Sequence, residues 1–159
     1  MAKSTKNAAA VCLMLSVIGV IGAVVGIFWK MPMVVIAGML PAVVYEVYRT
    51  EGITTKLASL GICIVIIAEF VLVFMKTKIN IASFVAHYIK NMPVIDATLA
   101  GPVIMALLAI MLLRRTAGVY TKWLAVLIFA CAAVLFYTLD PSLFGQILKP
   151  ALREGLRRM

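Results

Sequence analysis

Five long apolar runs constrain this chain more than any other feature: residues 8–28, 33–48, 57–75, 94–113 and 123–139. About 20 apolar residues in a helix cross the hydrocarbon core of a bilayer. Lipid offers no hydrogen-bond partner to an open backbone, so each run must close its bonds within itself as a helix. The expected fold class is therefore all-α, a polytopic integral membrane protein of five transmembrane helices forming one membrane domain over residues 1–159. The run at 33–48 is short, but it ends on interfacial tyrosines, Tyr45 and Tyr48. Only "WKMPM" separates the first two runs, which predicts a tight hairpin with Pro32 in the first turn of the second helix. One helix over residues 8–48 would be about 60 Å long, twice the core thickness.

Composition agrees. Hydrophobic residues make up 65% of the chain and charged residues 13%, against roughly 45–50% and about 25% in soluble domains. The net charge of +9 does not point to nucleic acid, because the Lys and Arg residues stand at the ends of apolar runs, where lipid headgroups lie. The start of the chain is basic, but the apolar run after it is too long for a signal peptide and no small-residue cleavage site follows. It is read as an uncleaved first transmembrane helix. Cys12, Cys63 and Cys131 lie in three different runs with no CxxC. They are read as small core residues.

Two stretches are amphipathic. Residues 79–91 place Ile81, Phe84, Val85, Tyr88 and Ile89 on one helical face and Asn80, Ser83, His87 and Lys90 on the other, as expected of a helix lying in the interface. The tail, residues 140–159, is basic and amphipathic, with Pro150 interrupting it. Let side A be the face bearing the N-terminus and side B the other. Lys and Arg number seven on side A and eight on side B, nearly a tie for the positive-inside rule. The short side-A loops favour a cytoplasmic N-terminus in a cytoplasmic (inner) membrane. Arg49, Lys56, Arg115 and Lys122 are the expected headgroup-binding residues of that side.

The loops after the second and fourth runs echo each other. "RTEGITTK" from Arg49 and "RTAGVYTK" from Arg115 share R-T-x-G-[IV]-x-T-K. Upstream, Pro32 and Pro93 each precede a second proline, Pro41 and Pro102, by nine residues. This predicts a parallel repeat of two helical hairpins. The alternative is convergence on one good loop, with Arg at a helix C-terminus, Gly52 and Gly118 in a left-handed turn, and Thr55 and Thr121 capping the next helix.

Aligned on that loop, Glu69 falls opposite Leu135. Glu69 is the one acid deep in an apolar run, "IVIIAEFVLVF". An ionised residue near the bilayer centre costs about 2.5–3.5 kcal/mol, and Glu69 is too short to reach the interface, so it must face protein. Small residues recur at its depth, and Thr98 is the expected hydrogen-bond partner. Two roles are open: a proton or cation relay, or a protonated packing carboxyl bonded across the bundle. Asp96, His87 and Asp140 fall on the same side and extend a graded path toward the interface. Asp96 also suits hydration or a helix N-terminus, whereas Asp140 reads first as an N-cap before Pro141 and His87 first as a solvated polar-face residue. Gly22 and Gly26 form a GxxxG packing signal, within the chain or toward a partner.

No hydrolase, metalloprotease, P-loop or dinucleotide motif occurs in the sequence. A single histidine and no ligand cluster exclude the common metal and haem sites. The expectation is thus no catalytic residue, no metal and no cofactor. The expected function is a small non-catalytic subunit of a larger membrane complex, energy-converting or transport-related. The alternative is a small oligomeric proton- or cation-coupled carrier or channel using Glu69. The expected partners are the lipid bilayer and other membrane subunits or further copies of the chain.

Overall fold

The computed structural model describes residues 7–50, 52–75, 97–116 and 118–142. These residues form five helices and no strand: α1 (Ala8–Trp29), α2 (Pro32–Arg49), α3 (Ile53–Phe74), α4 (Ala97–Arg115) and α5 (Val119–Leu139). All five are long and apolar enough to cross a membrane. The expected interfacial helix at 79–91 and the tail beyond residue 142 lie outside the described residues. Helices α3 and α5 begin four residues before the expected runs, at Ile53 and Val119. Each gains a polar first turn, "TTK" or "YTK", that hydropathy alone cannot assign.

The α1–α2 hairpin turns as "WKMPM" demands. Lys30 adopts a left-handed conformation at φ 51° and ψ 37°. Its N–H reaches the Ile27 carbonyl at 3.3 Å, and the Met31 N–H reaches the Gly26 carbonyl at 3.1 Å. This Schellman-type closure satisfies carbonyls at the helix end. Pro32 then starts α2 at N1, where its missing N–H costs nothing.

Each of α2 and α5 packs against three other helices. Helix α2 touches α1, α3 and α5, whereas α5 touches α1, α2 and α4; α3 packs on α4 as well. Helices α2, α3, α4 and α5 thus close a four-membered ring, and α1 lies across the α2–α5 seam. Ile36, Met39, Ile62, Ile66, Met105, Leu124 and Ile128 fill the interior. Leu13, Phe28, Leu57, Ile64, Leu107 and Val126 point outward, as lipid-facing side chains must.

The glycines of α1 are consumed within the chain. A Cβ on Gly22 would sit 2.8 Å from the Gly38 Cα, and one on Gly26 would overlap the Val35 Cγ2. Gly19 instead faces Leu127 of α5 at 3.3 Å. The GxxxG signal is therefore an intramolecular one, and it lets two backbones touch.

Glycine-to-alanine substitutions should separate these contacts. Gly22→Ala forces one backbone off another and is expected to cost about 1–3 kcal/mol. Gly61→Ala meets only the flexible tip of Leu108 at 3.3 Å and should cost well under that. Equilibrium unfolding in mixed detergent micelles measures both.

Candidate functional site

Glu69 stands five residues before the end of α3, on the face that meets α4. It is 1% exposed. Its carboxyl lies directly on the backbone of Gly101: a Cβ there would overlap the Glu69 Oε2 and stand 2.8 Å from its Cδ. A side chain at 101 would occupy the place of the carboxyl and displace it. The depth count brings α4 to this carboxyl, but at Gly101 rather than Thr98. No hydrogen bond joins Glu69 to half-buried Thr98, and Oε1 has no hydrogen-bond partner among the described residues. Leu135, its counterpart by alignment, is fully buried too. Both side chains are thus interior, one a carboxyl and the other hydrocarbon.

Of the remaining side-B candidates, His87 and Asp96 lie outside the described residues. Asp140 accepts a bond from the Ser142 N–H at 2.9 Å and another from the Ser142 hydroxyl at 2.6 Å. The first is the bond an N-cap side chain makes to the N2 position.

A second buried polar group, which hydropathy does not single out, occupies the side-A end. Glu46 and Arg49 are one turn apart on α2, 0% and 5% exposed. Arg49, expected at the headgroups, is instead covered by α1 and α5. Its guanidinium lies over the Tyr120 ring, 5.0 Å from the centroid, and points Nη1 toward the Cys12 Sγ at 3.9 Å. Glu46 Oε1 accepts from the Thr50 hydroxyl at 3.0 Å, and the same hydroxyl reaches the Glu46 carbonyl at 2.7 Å. Glu46 Oε2, Arg49 Nε and Thr121 Oγ have no partner among the described residues. Lys56, Arg115 and Lys122, the other three expected headgroup residues, are exposed at helix ends.

The echoed loops share their bonds but not their turns. Thr50 and Thr116 each donate back to the carbonyl four residues earlier, at 2.7 and 2.6 Å. Lys56 and Lys122 each donate to the glycine carbonyl that opens the next helix, at 2.8 and 3.0 Å. Gly52 has φ 122°, a conformation open only to glycine, whereas Gly118 is extended at φ −76°. Neither glycine takes the expected left-handed helical turn. Thr55 and Thr121 do not cap the next helix with their side chains. Thr55 donates to the Gly52 carbonyl at 3.1 Å, and Thr121 faces inward.

An apolar groove of about 440 Å³ runs along the outside of α1 and the first turns of α5. Cys12, Val17, Val20, Tyr120 and Trp123 are among its walls. The Trp123 Nε1 donates to Ser16 Oγ across it at 2.8 Å. Cys12 and Tyr120, the two contacts of Arg49, also form part of its lining. Among the described residues no group of three His, Cys, Asp or Glu side chains could hold a metal ion.

Thr50→Val tests the side-A group. It strips Glu46 of its one side-chain bond inside a buried site and is expected to cost about 1–3 kcal/mol. Thr116→Val, at the matching place opposite Leu112, removes only a bond to a carbonyl and should cost less than half as much. Paired unfolding measurements on the two variants decide it. No family model, curated protein or solved structure matches this chain.

Proposed function

We propose that this chain is a small, non-catalytic integral membrane protein that exchanges protons or cations at Glu69. One observation carries the reading: an interior carboxyl, with one oxygen unpartnered among the described residues, seated on the bare backbone of Gly101. A carboxyl kept only as interhelical glue gains its energy from a hydrogen bond across the bundle. Oε1 accepts none among the described residues, so the carboxyl gains a bond across the bundle only while it carries a proton to donate. Intramembrane acids of this kind mark proton and ion paths. In the sequence, Asp96 and His87 are the further side-B candidates for such a path. The membrane is the cytoplasmic one, with side A in the cytoplasm.

The ring of α2 to α5 supports a duplicated origin. Exchanging α2 with α4 and α3 with α5 maps every contact of that ring onto another contact of it. The prolines fit less well. Pro41 lies eight residues before Arg49, and Pro102 lies thirteen before Arg115, so five residues separate the two registers. Duplication followed by an insertion within α4 accommodates both facts.

A second reading is a non-catalytic subunit of a larger membrane complex. The groove beside α1 and α5 favours it, because its apolar walls and bridging Trp123 suit a neighbouring helix. Helix α1 is also the least buried of the five, and it keeps most of its surface for lipid or a partner.

Reconstitution into liposomes tests the first reading. Glu69→Gln should abolish ion or proton flux while leaving the melting temperature within a few degrees of wild type. Gly101→Ala, which displaces the carboxyl, should reduce flux by about tenfold or more, equivalent to 1.4 kcal/mol in a barrier. Unchanged flux in Glu69→Gln removes Glu69 from the mechanism. Native mass spectrometry of the purified protein separates the second reading, since stoichiometric foreign subunits support it and a homo-oligomer alone counts against it.

A further inference from the structure

Pro102 lies inside α4, one residue after Gly101. Proline has no N–H, so a helical proline leaves the carbonyl four residues earlier without its usual donor. That carbonyl belongs to Thr98, which lies one turn from Gly101 on the same face of α4. Two groups therefore come to the same turn of α4: the Thr98 backbone carbonyl, which Pro102 deprives of its usual helical donor, and the Glu69 carboxyl seated on Gly101, with Oε1 lacking a partner among the described residues. Each is the complement of the other only when Glu69 carries a proton, because two oxygen acceptors cannot bond without one.

We infer that the cargo exchanged at Glu69 is a proton, and that its bound form is held by a hydrogen bond from the carboxyl O–H to the Thr98 carbonyl that Pro102 sets free. The inference rests on the reading of Glu69 as an exchange site and names its cargo and its acceptor. In the protonated state the carboxyl donates to the carbonyl. On release the proton passes to water entering from side B, the O–H bond breaks, and the electron pair stays on the carboxylate. Carbonyl and carboxylate are then two acceptors facing each other, so release is coupled to separation of α3 from α4 at this point. No charged side chain among the described residues acts on Glu69.

Space argues for a proton over a metal cation. A hard cation takes about six oxygen ligands at roughly 2.0–2.6 Å. The carboxyl here is packed on backbone, with its Cδ and Cγ 2.8 and 3.5 Å from where a Gly101 Cβ would stand. Among the described residues no group of three His, Cys, Asp or Glu side chains is present to build such a shell. A proton needs no added volume.

Infrared spectroscopy of the reconstituted protein tests the inference. The stretch of the protonated Glu69 carbonyl is identified by its loss in Glu69→Gln. Pro102→Ala restores an N–H to occupy the Thr98 carbonyl, and it also favours the helix, so the variant folds. The expected result is a shift of the Glu69 band to higher wavenumber, as its hydrogen bond weakens. Thr98→Val removes the hydroxyl and keeps the carbonyl, so the band should not move. An unmoved band in Pro102→Ala, or a shifted one in Thr98→Val, overturns the assignment of the acceptor. Glu69-dependent flux driven by a sodium gradient at constant pH overturns the proton as cargo while leaving Glu69 as an exchange site. A shift in Pro102→Ala with no Glu69-dependent flux of any ion upholds the bond but ends the transport reading.

Discussion

The contact between the Gly22 and Gly38 backbones organises this bundle. In lipid, apolar side chains gain nothing by leaving their solvent for one another, so helices associate through close packing and polar contacts. A glycine pair on facing helices brings the backbones together, and many small dispersion contacts become available at once. With Lys30 and Pro32 fixing the turn, the contact pins α1 to α2 along much of their length. Helix α2 is thereby set inside the bundle, where α3 and α5 cover its other sides. The burial of Glu46 and Arg49 follows from that placement and from no local property of α2.

The two buried acids stand at opposite ends of the same bundle, with hydrocarbon between them. Glu46 is a turn from the side-A end of α2, and Glu69 is five residues from the side-B end of α3. Val43, Met39, Ile62, Ile66 and Met105 are buried in the core that separates them. Along α3, the stretch from its first residue to Glu69 measures about 24 Å at 1.5 Å per residue. Such an arrangement is not an open pore. It sets a buried side-B carboxyl against an apolar barrier, so passage through the proposed site requires the helices to rearrange rather than ions to file through.

Much of the fold is legible in the sequence because lipid makes the rules simple. Apolar run length gives the helix count, and "WKMPM" gives the hairpin. Glu69 is conspicuous because its neighbours are uniformly apolar. Glu46 and Arg49 escape the same reading because they stand at the end of a run, where a linear chain looks interfacial. Only the first turns of α1 and α5, folded over them, bring Cys12 and Tyr120 onto the guanidinium. The one local signal was the spacing of Glu46, Arg49 and Thr50, which puts an acid, a base and a hydroxyl on one face of a helix. Depth alone points to Thr98, and depth does not register that Gly101, one turn on, is where α3 can approach.

The two ends also show how one loop can support different chemistry. Thr50 and Thr116 make the same backward bond, but at the first the residue four positions earlier is Glu46 and at the second it is Leu112. Both positions are buried. The same substitution pattern separates Glu69 from Leu135. Hydrocarbon at 112 and 135 fills the half formed by α4 and α5, while acids at 46 and 69 occupy the half formed by α2 and α3. A bundle that keeps both in one half, one near each membrane face, has concentrated its unsatisfied polar groups where α3 meets α4 and where α2 meets α1 and α5. Those are the seams at which the helices have most to gain by moving.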